Sequence, residues 1–132
     1  MKIDVSIGEV VDKFSILSIK LKKIKDRKKL KNIRKEYDLL KDSLEEIGIK
    51  TGSEELKQLE EINLKLWDIE DKIRLKEAKK EFDDEFIQLA RSVYFSNDKR
   101  ADIKRKINLK HGSELIEEKE YADYGNSTRF NS

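Results

Sequence analysis

The stretch LKNIRKEYDLLKDSLEEI, residues 30–47, decides how the chain folds. Leu30, Ile33, Tyr37, Leu40, Leu44 and Ile47 recur at three and four residues without a break. That rhythm lays one apolar stripe along an α-helix and leaves the Lys, Arg, Asp and Glu between them to solvent. Gly48 suits the left-handed position just past a helix end, and Ile49 the apolar contact that follows it. A helix so narrow in its apolar face must bury it against a hairpin partner or another copy of the chain.

Toward the N-terminus the pattern re-phases near Asp26, read as a cap or kink. Before it, Ile7, Val10, Val11, Phe14, Leu17, Leu21 and Ile24 keep helical spacing. Ser6 and Glu9 have the spacing of a capping box, with Val5 and Val10 placed as a hydrophobic staple. Ile3 and Val5 alternate, as in a short edge strand or a tether. Toward the C-terminus, Thr51 or Ser53 can cap a third helix over residues 54–80, with Leu59, Ile62, Leu66, Ile69 and Ile73 inward. Asp83 can cap a fourth helix reaching about Lys110, with Phe82 and Ile87 as its staple. Gly112 stops it, and Ser113 can cap a short fifth helix, ELIEEKEYA. The expected fold is all-α: long antiparallel helical hairpins forming a bundle, about four main helices plus a short C-terminal helix. One domain would span residues 1–124, with residues 125–132 a disordered tail or one held only by a partner. Long helices in so small a chain imply a homodimer or higher homo-oligomer.

Composition agrees. The 132 residues include no Pro and five Gly, and 44% are charged, as suits helices joined by few turns. With no Cys, disulfides and thiolate zinc sites are excluded. Neither a signal-like apolar segment nor a membrane-length apolar window is present, so a cytoplasmic protein without membrane contact is expected.

A polar stripe runs beside the apolar one on the third helix, where Asn63, Trp67, Glu70 and Arg74 share a face. On the fourth, Ala90, Tyr94, Asn97, Ala101, Lys104 and Asn108 repeat at four and three, with Arg91, Asp98 and Arg100 on the flanks. If these stripes face each other, Glu70, Arg74, Asn97, Arg100, Lys104 and Asn108 line one groove. The candidate ligand-binding residues are Trp67, Glu70, Arg74, Arg91, Tyr94, Asn97, Asp98, Arg100, Lys104 and Asn108. A structural role, fixing register between helices, weighs ahead of ligand binding, and both ahead of a surface for a partner protein. In a chain with 23 Lys and seven Arg, Arg at these positions suits bidentate capture of a phosphate or carboxylate.

Other constellations are weaker. His111, the sole histidine, sits at a helix end where it complements the dipole. The carboxylate pairs Glu9 with Asp12 and Asp68 with Asp71, and the cluster Glu114, Glu117 and Glu118, are what chance supplies among 28 acids. No metal and no cofactor is expected. From Lys20 to Lys35 there are ten Lys or Arg and one Asp, a balance of +9 in a chain of net charge +2. Without interleaved aromatics this run reads as a solvated face before it reads as a nucleic-acid site.

The segments VSIGEVVDK, LKNIRKEYDLL, LWDIEDKIR, FIQLARSVYFSNDKRADIKRKIN and GSELIEEKEYADY together resemble a small bacterial and phage family catalogued as a domain of unknown function. The likeness extends from about Lys2 to Tyr124. It implies a stand-alone helical protein, some members of which stand near or are joined to glycosyltransferases of surface-glycan synthesis. The family carries no assigned catalytic residues. A fainter likeness, to all-helical chorismate mutases, rests on the placement of Arg74, Arg91 and Lys104 and serves as an analogy for anion binding. The sequence thus favours a binding or accessory protein over an enzyme, with a small-anion enzyme or sensor as the alternative and nucleic-acid binding through Lys20–Lys35 as the second.

Overall fold

A computed structural model of the chain describes residues 1–120. Among these lie four helices, α1 (Ile7–Lys23), α2 (Arg27–Glu46), α3 (Glu54–Ala78) and α4 (Asp84–Lys110), and no strand. α1 packs against each of the other three, and α3 pairs with α4. The bundle is therefore built around the shortest helix.

Local chemistry accounts for each boundary. The Ser6 hydroxyl accepts from the Glu9 N–H at 3.2 Å, but the Glu9 carboxylate does not close the expected capping box. It meets Lys104 at 2.7 Å instead. The other free N–H groups of the first turn are met from far along the chain: Ile7 donates to Ser113 Oγ at 3.1 Å and Gly8 to Asn108 Oδ1 at 2.6 Å. Such donors must find partners wherever a helix start is buried. Extended backbone at Ile24 ends α1, and Asp26 caps α2 by accepting from Lys29 N–H at 3.0 Å.

α2 closes as its sequence predicts. Gly48 has φ +83°, Gly48 N–H donates to Glu45 and Ile49 N–H donates to Leu44, the paired bonds of a Schellman end. The same pair closes α3, with Lys80 in the left-handed position at φ +57°. Gly112, at φ +64°, follows α4.

The core gathers Val11, Phe14, Leu44, Ile49, Leu56, Leu59, Ile62, Ile103 and Ile107. Phe14 stacks on Tyr37 with ring centroids 4.5 Å apart, which fixes α2 on α1. Lys13 pairs with Glu36 at 3.0 Å and Lys23 approaches Asp68 at 4.0 Å. These contacts run α2 antiparallel to α1 and bring the end of α1 only to the middle of α3. α1 has 17 residues against 25 and 27 in α3 and α4, so at about 1.5 Å per residue the α3–α4 hairpin extends well past it.

Several expectations change. Residues 1–6 are a tether, not a strand. Ser53 takes the α3 cap position without a side-chain cap bond. Phe82 and Ile87 stay exposed; Phe82 packs edge-on against Phe86 and forms no buried staple. The short fifth helix is absent over residues 115–120. There Glu117 and Glu118 turn back onto Lys104 and Arg105, and the Ser113 hydroxyl, expected to cap it, donates to Leu115 O. The remainder of that helix, and the tail over residues 125–132, lie outside the described residues. Among the described residues no helix is long and apolar enough to cross a membrane.

Candidate binding groove and its buried support

α1 carries a line of small or polar residues, Gly8, Asp12 and Ser15, beside its apolar face. Their spacing of four and three turns all three toward the α3–α4 pair. Gly8 permits contact: a Cβ there would stand 2.5 Å from the Lys104 backbone oxygen and 2.9 Å from Asn108 Oδ1.

One turn on, Asp12 is the hub. Only 1% exposed, it accepts from Arg100 Nε at 2.9 Å and Arg100 Nη2 at 2.5 Å, and from Asn63 Nδ2 at 2.8 Å. Asn63 also donates to Ser15 Oγ at 2.8 Å, and that hydroxyl donates to the Asp12 carbonyl. One carboxylate thereby ties α1 to α3 and α4 together. A buried charge needs a paired, hydrogen-bonded setting of this kind. The Asp12 carboxylate in turn holds the Arg100 guanidinium above its ordinary pKa, against the opposing effect of burial.

Lys104, also buried, sits between Glu9 at 2.7 Å and Glu117 at 2.9 Å. Burial by itself would lower its pKa, but the two carboxylates outweigh it and the net shift is upward. Glu117 is correspondingly lowered, chiefly by its hydrogen bond to Lys104. Lys104 and Asn108 therefore serve the start of α1 and the returning C-terminal segment, and are not among the groove's lining.

The groove lies where α1 gives out between α3 and α4. Ile16, Ile19 and Leu66 form its apolar floor, Trp67 one wall, and Asn63, Glu70, Asp71, Arg74, Asn97 and Arg100 its polar lining, around a cavity of about 410 Å³. Five of the ten sequence candidates, Trp67, Glu70, Arg74, Asn97 and Arg100, thus come together. Arg74 is 81% exposed in its side chain and only 3.8 Å from Glu70. Arg100 has its Nε and Nη2 engaged by Asp12 and still contributes to the groove lining.

Arg91, Tyr94 and Asp98 belong to another flank of α4. Arg91 lies 5.7 Å over the Phe95 ring and Tyr94 packs 5.1 Å from Phe95. Asp98 is buried, with one carboxylate oxygen making no hydrogen bond. Sequence reasoning missed Asp12, Ser15, Ile16 and Ile19 as participants. The signal was present in the Gly8, Asp12, Ser15, Ile19 spacing, which interrupts an otherwise apolar helix with a carboxylate.

Among the described residues no group of His, Cys, Asp and Glu could hold a metal ion. Chemically the groove offers hydrogen-bond donors and acceptors over an apolar floor, with most of its charge already balanced. No curated protein and no solved structure matches the chain. A family model does match it over residues 1–132, so the chain belongs to a family of unknown function, DUF6165.

Proposed function

We propose that the protein is a binding or accessory protein that holds a small polar molecule in the groove at the end of α1. The observation that carries this reading is the convergence of Trp67, Asn97, Arg74 and Asp71 around the apolar floor made by Ile16, Ile19 and Leu66. A concave apolar surface with a few convergent polar groups is the usual form of a small-molecule site.

Charge narrows the ligand. The Arg100 cation is matched by Asp12 and the Arg74 cation faces Glu70, while Asp71 adds a further acid. A multiply charged anion would meet carboxylates as often as cations. A hydroxyl-rich molecule with one apolar face, such as a sugar ring laid against the Trp67 indole, meets donors and acceptors without that repulsion. This is also the ligand class that a place beside surface-glycan synthesis, implied by the family resemblance, would call for. The second reading is a small anion, such as a sugar phosphate or dicarboxylate, held by Arg74 and the outer face of Arg100; the exposure of Arg74 favours it.

Trp67 is the only tryptophan, so its fluorescence reports on the groove directly. In titrations with mono- and oligosaccharides, sugar phosphates and malate, a saturable change with saccharide that is lost in Asn97→Ala supports the first reading. A change confined to the anions and lost in Arg74→Ala supports the second. A flat response to every compound sinks both.

Self-association belongs to the same accessory reading. Leu75, Phe82 and Ile87 are exposed on the part of the hairpin that α1 does not reach, an apolar surface that a second copy could cover.

A further inference from the structure

The elbow between α1 and α2 is a second feature, separate from the groove. Ten of the sixteen residues from Lys20 to Lys35 are basic and one is acidic, so this segment carries +9 while the other 116 residues carry −7, the difference from the chain's +2. Lys20 is half-buried; the other nine cations are exposed. Among the described residues only Lys23 and Arg34 have a carboxylate partner, at 4.0 Å and 3.6 Å. The single acid, Asp26, is engaged as the α2 cap.

Two physical features set this apart from an ordinary solvated face. The first turn of α2 contains no acid and holds Arg27, Lys28 and Lys29, three cations at the positive end of the helix dipole, where anions are favoured. The sequence accepts mutual repulsion here although it has acids in the first turns of α1, α3 and α4. Further, the cations lie on more than one side of the elbow. At 100° per residue, Arg27, Lys28, Lys31 and Lys35 cover the face of α2 away from Leu30, Ile33 and Tyr37, Lys29 lies on another flank, and Lys22 and Lys23 at the end of α1 line a cleft beside Lys57 of α3. α1 alone among the helices supports α2, so no other described helix covers that surface.

We infer that this elbow binds the phosphate backbone of single-stranded nucleic acid without regard to sequence. A flat anionic membrane or a stiff duplex could meet only one of these sides at a time, whereas a flexible strand can pass from Lys22 and Lys23 at the end of α1 onto the outer face of α2. No Trp, Tyr or Phe lies between Phe14 and Tyr37, so the surface lacks the stacking platforms that read bases or add sequence-tolerant affinity. Binding is then almost wholly electrostatic.

The test uses the full chain and an oligothymidylate of about 30 nucleotides, with affinity followed by fluorescence anisotropy across a salt series. Contacts to six to eight phosphates predict a log–log salt slope of about −4 to −6, at about 0.7 per phosphate. The triple variant Lys28→Glu, Lys31→Glu, Lys35→Glu should lose about two from that slope and at least tenfold in affinity at low salt. Its circular dichroism and Tm should not fall, because all three lysines are exposed and Lys28→Glu places a carboxylate in the first turn of α2, where it suits the dipole; loss of binding would therefore not be loss of fold. Trp67→Ala should bind the strand as wild type does, which separates the elbow from the groove. No binding at low salt overturns the inference. So does an unchanged affinity in the triple variant, a tighter complex with duplex of equal length, or preference for anionic lipid vesicles over the strand.

Discussion

Asp12 and Arg100 form one ion pair, yet their removal should not have equal consequences. Asp12 is 1% exposed and the Arg100 side chain 28%. Without its partner, Arg100 can turn its head toward the groove and water, whereas Asp12 would be left as a buried, uncompensated carboxylate. Arg100→Ala should therefore destabilise the protein by about 3–5 kcal/mol and Asp12→Ala by less, a difference readable in urea denaturation. Equal losses would mean that the pair is worth no more than its packing. Gly8→Ala tests a neighbouring contact. In an open helix this change is favourable by about 0.5–1 kcal/mol; here the new methyl would meet the Lys104 backbone oxygen at 2.5 Å. The expected outcome is a loss of about 1–3 kcal/mol, as for overpacking against a part that cannot swing aside.

Among the elements, the turn between α3 and α4 holds a correctable strain. Lys80 takes the left-handed conformation that Gly48 and Gly112 take at the ends of α2 and α4. An L-residue pays about 1–2 kcal/mol for it, so Lys80→Gly should raise stability by roughly 1 kcal/mol after the added freedom of the unfolded chain is counted. A lowered Tm would show that the Lys80 side chain matters more than its backbone. The segment returning along α4 is held differently, by Glu117 on Lys104 and Glu118 on Arg105. Since the folded pKa of Glu117 is depressed, its contribution is present above its ordinary value of 4.5 and is lost as pH falls below it. Lys104, with a raised folded pKa, keeps its contribution up to its ordinary 10.5 and loses it only at still higher pH. Backbone order over residues 114–120, read from 15N relaxation, should accordingly be high near neutrality and fall below about pH 4.5, while the α1–α3–α4 core stays ordered. Order that does not change with pH would detach these ion pairs from the holding of the segment.

At the scale of the whole molecule, the mismatch in helix length governs what can happen at the surface. α1 fills one half of the trough between α3 and α4 and leaves the other half open. If a second copy covers that remainder, light scattering should give a dimer, and Phe82→Ser with Ile87→Ser should give a folded monomer. A monomeric wild type would remove self-association from the accessory reading. The sequence by itself determined the four main helices: the three-and-four spacing, the caps at Ser6, Asp26 and Asp83, and the stops at Gly48 and Gly112 depend on neighbours within one or two turns, and local interactions suffice to read them. It also brought Trp67, Glu70 and Arg74 to one face of α3, while the approach of Asn97 and Arg100 from α4 is decided by packing. Only the tertiary structure decided which polar groups are answered from a distance. Asp12 reaches Arg100 across 88 positions and Gly8 reaches Asn108 across 100, and no periodicity along the chain carries that information. Helical spacing fixes the face on which a side chain lies, whereas the identity of its partner depends on how far each helix extends and against which neighbour it stops.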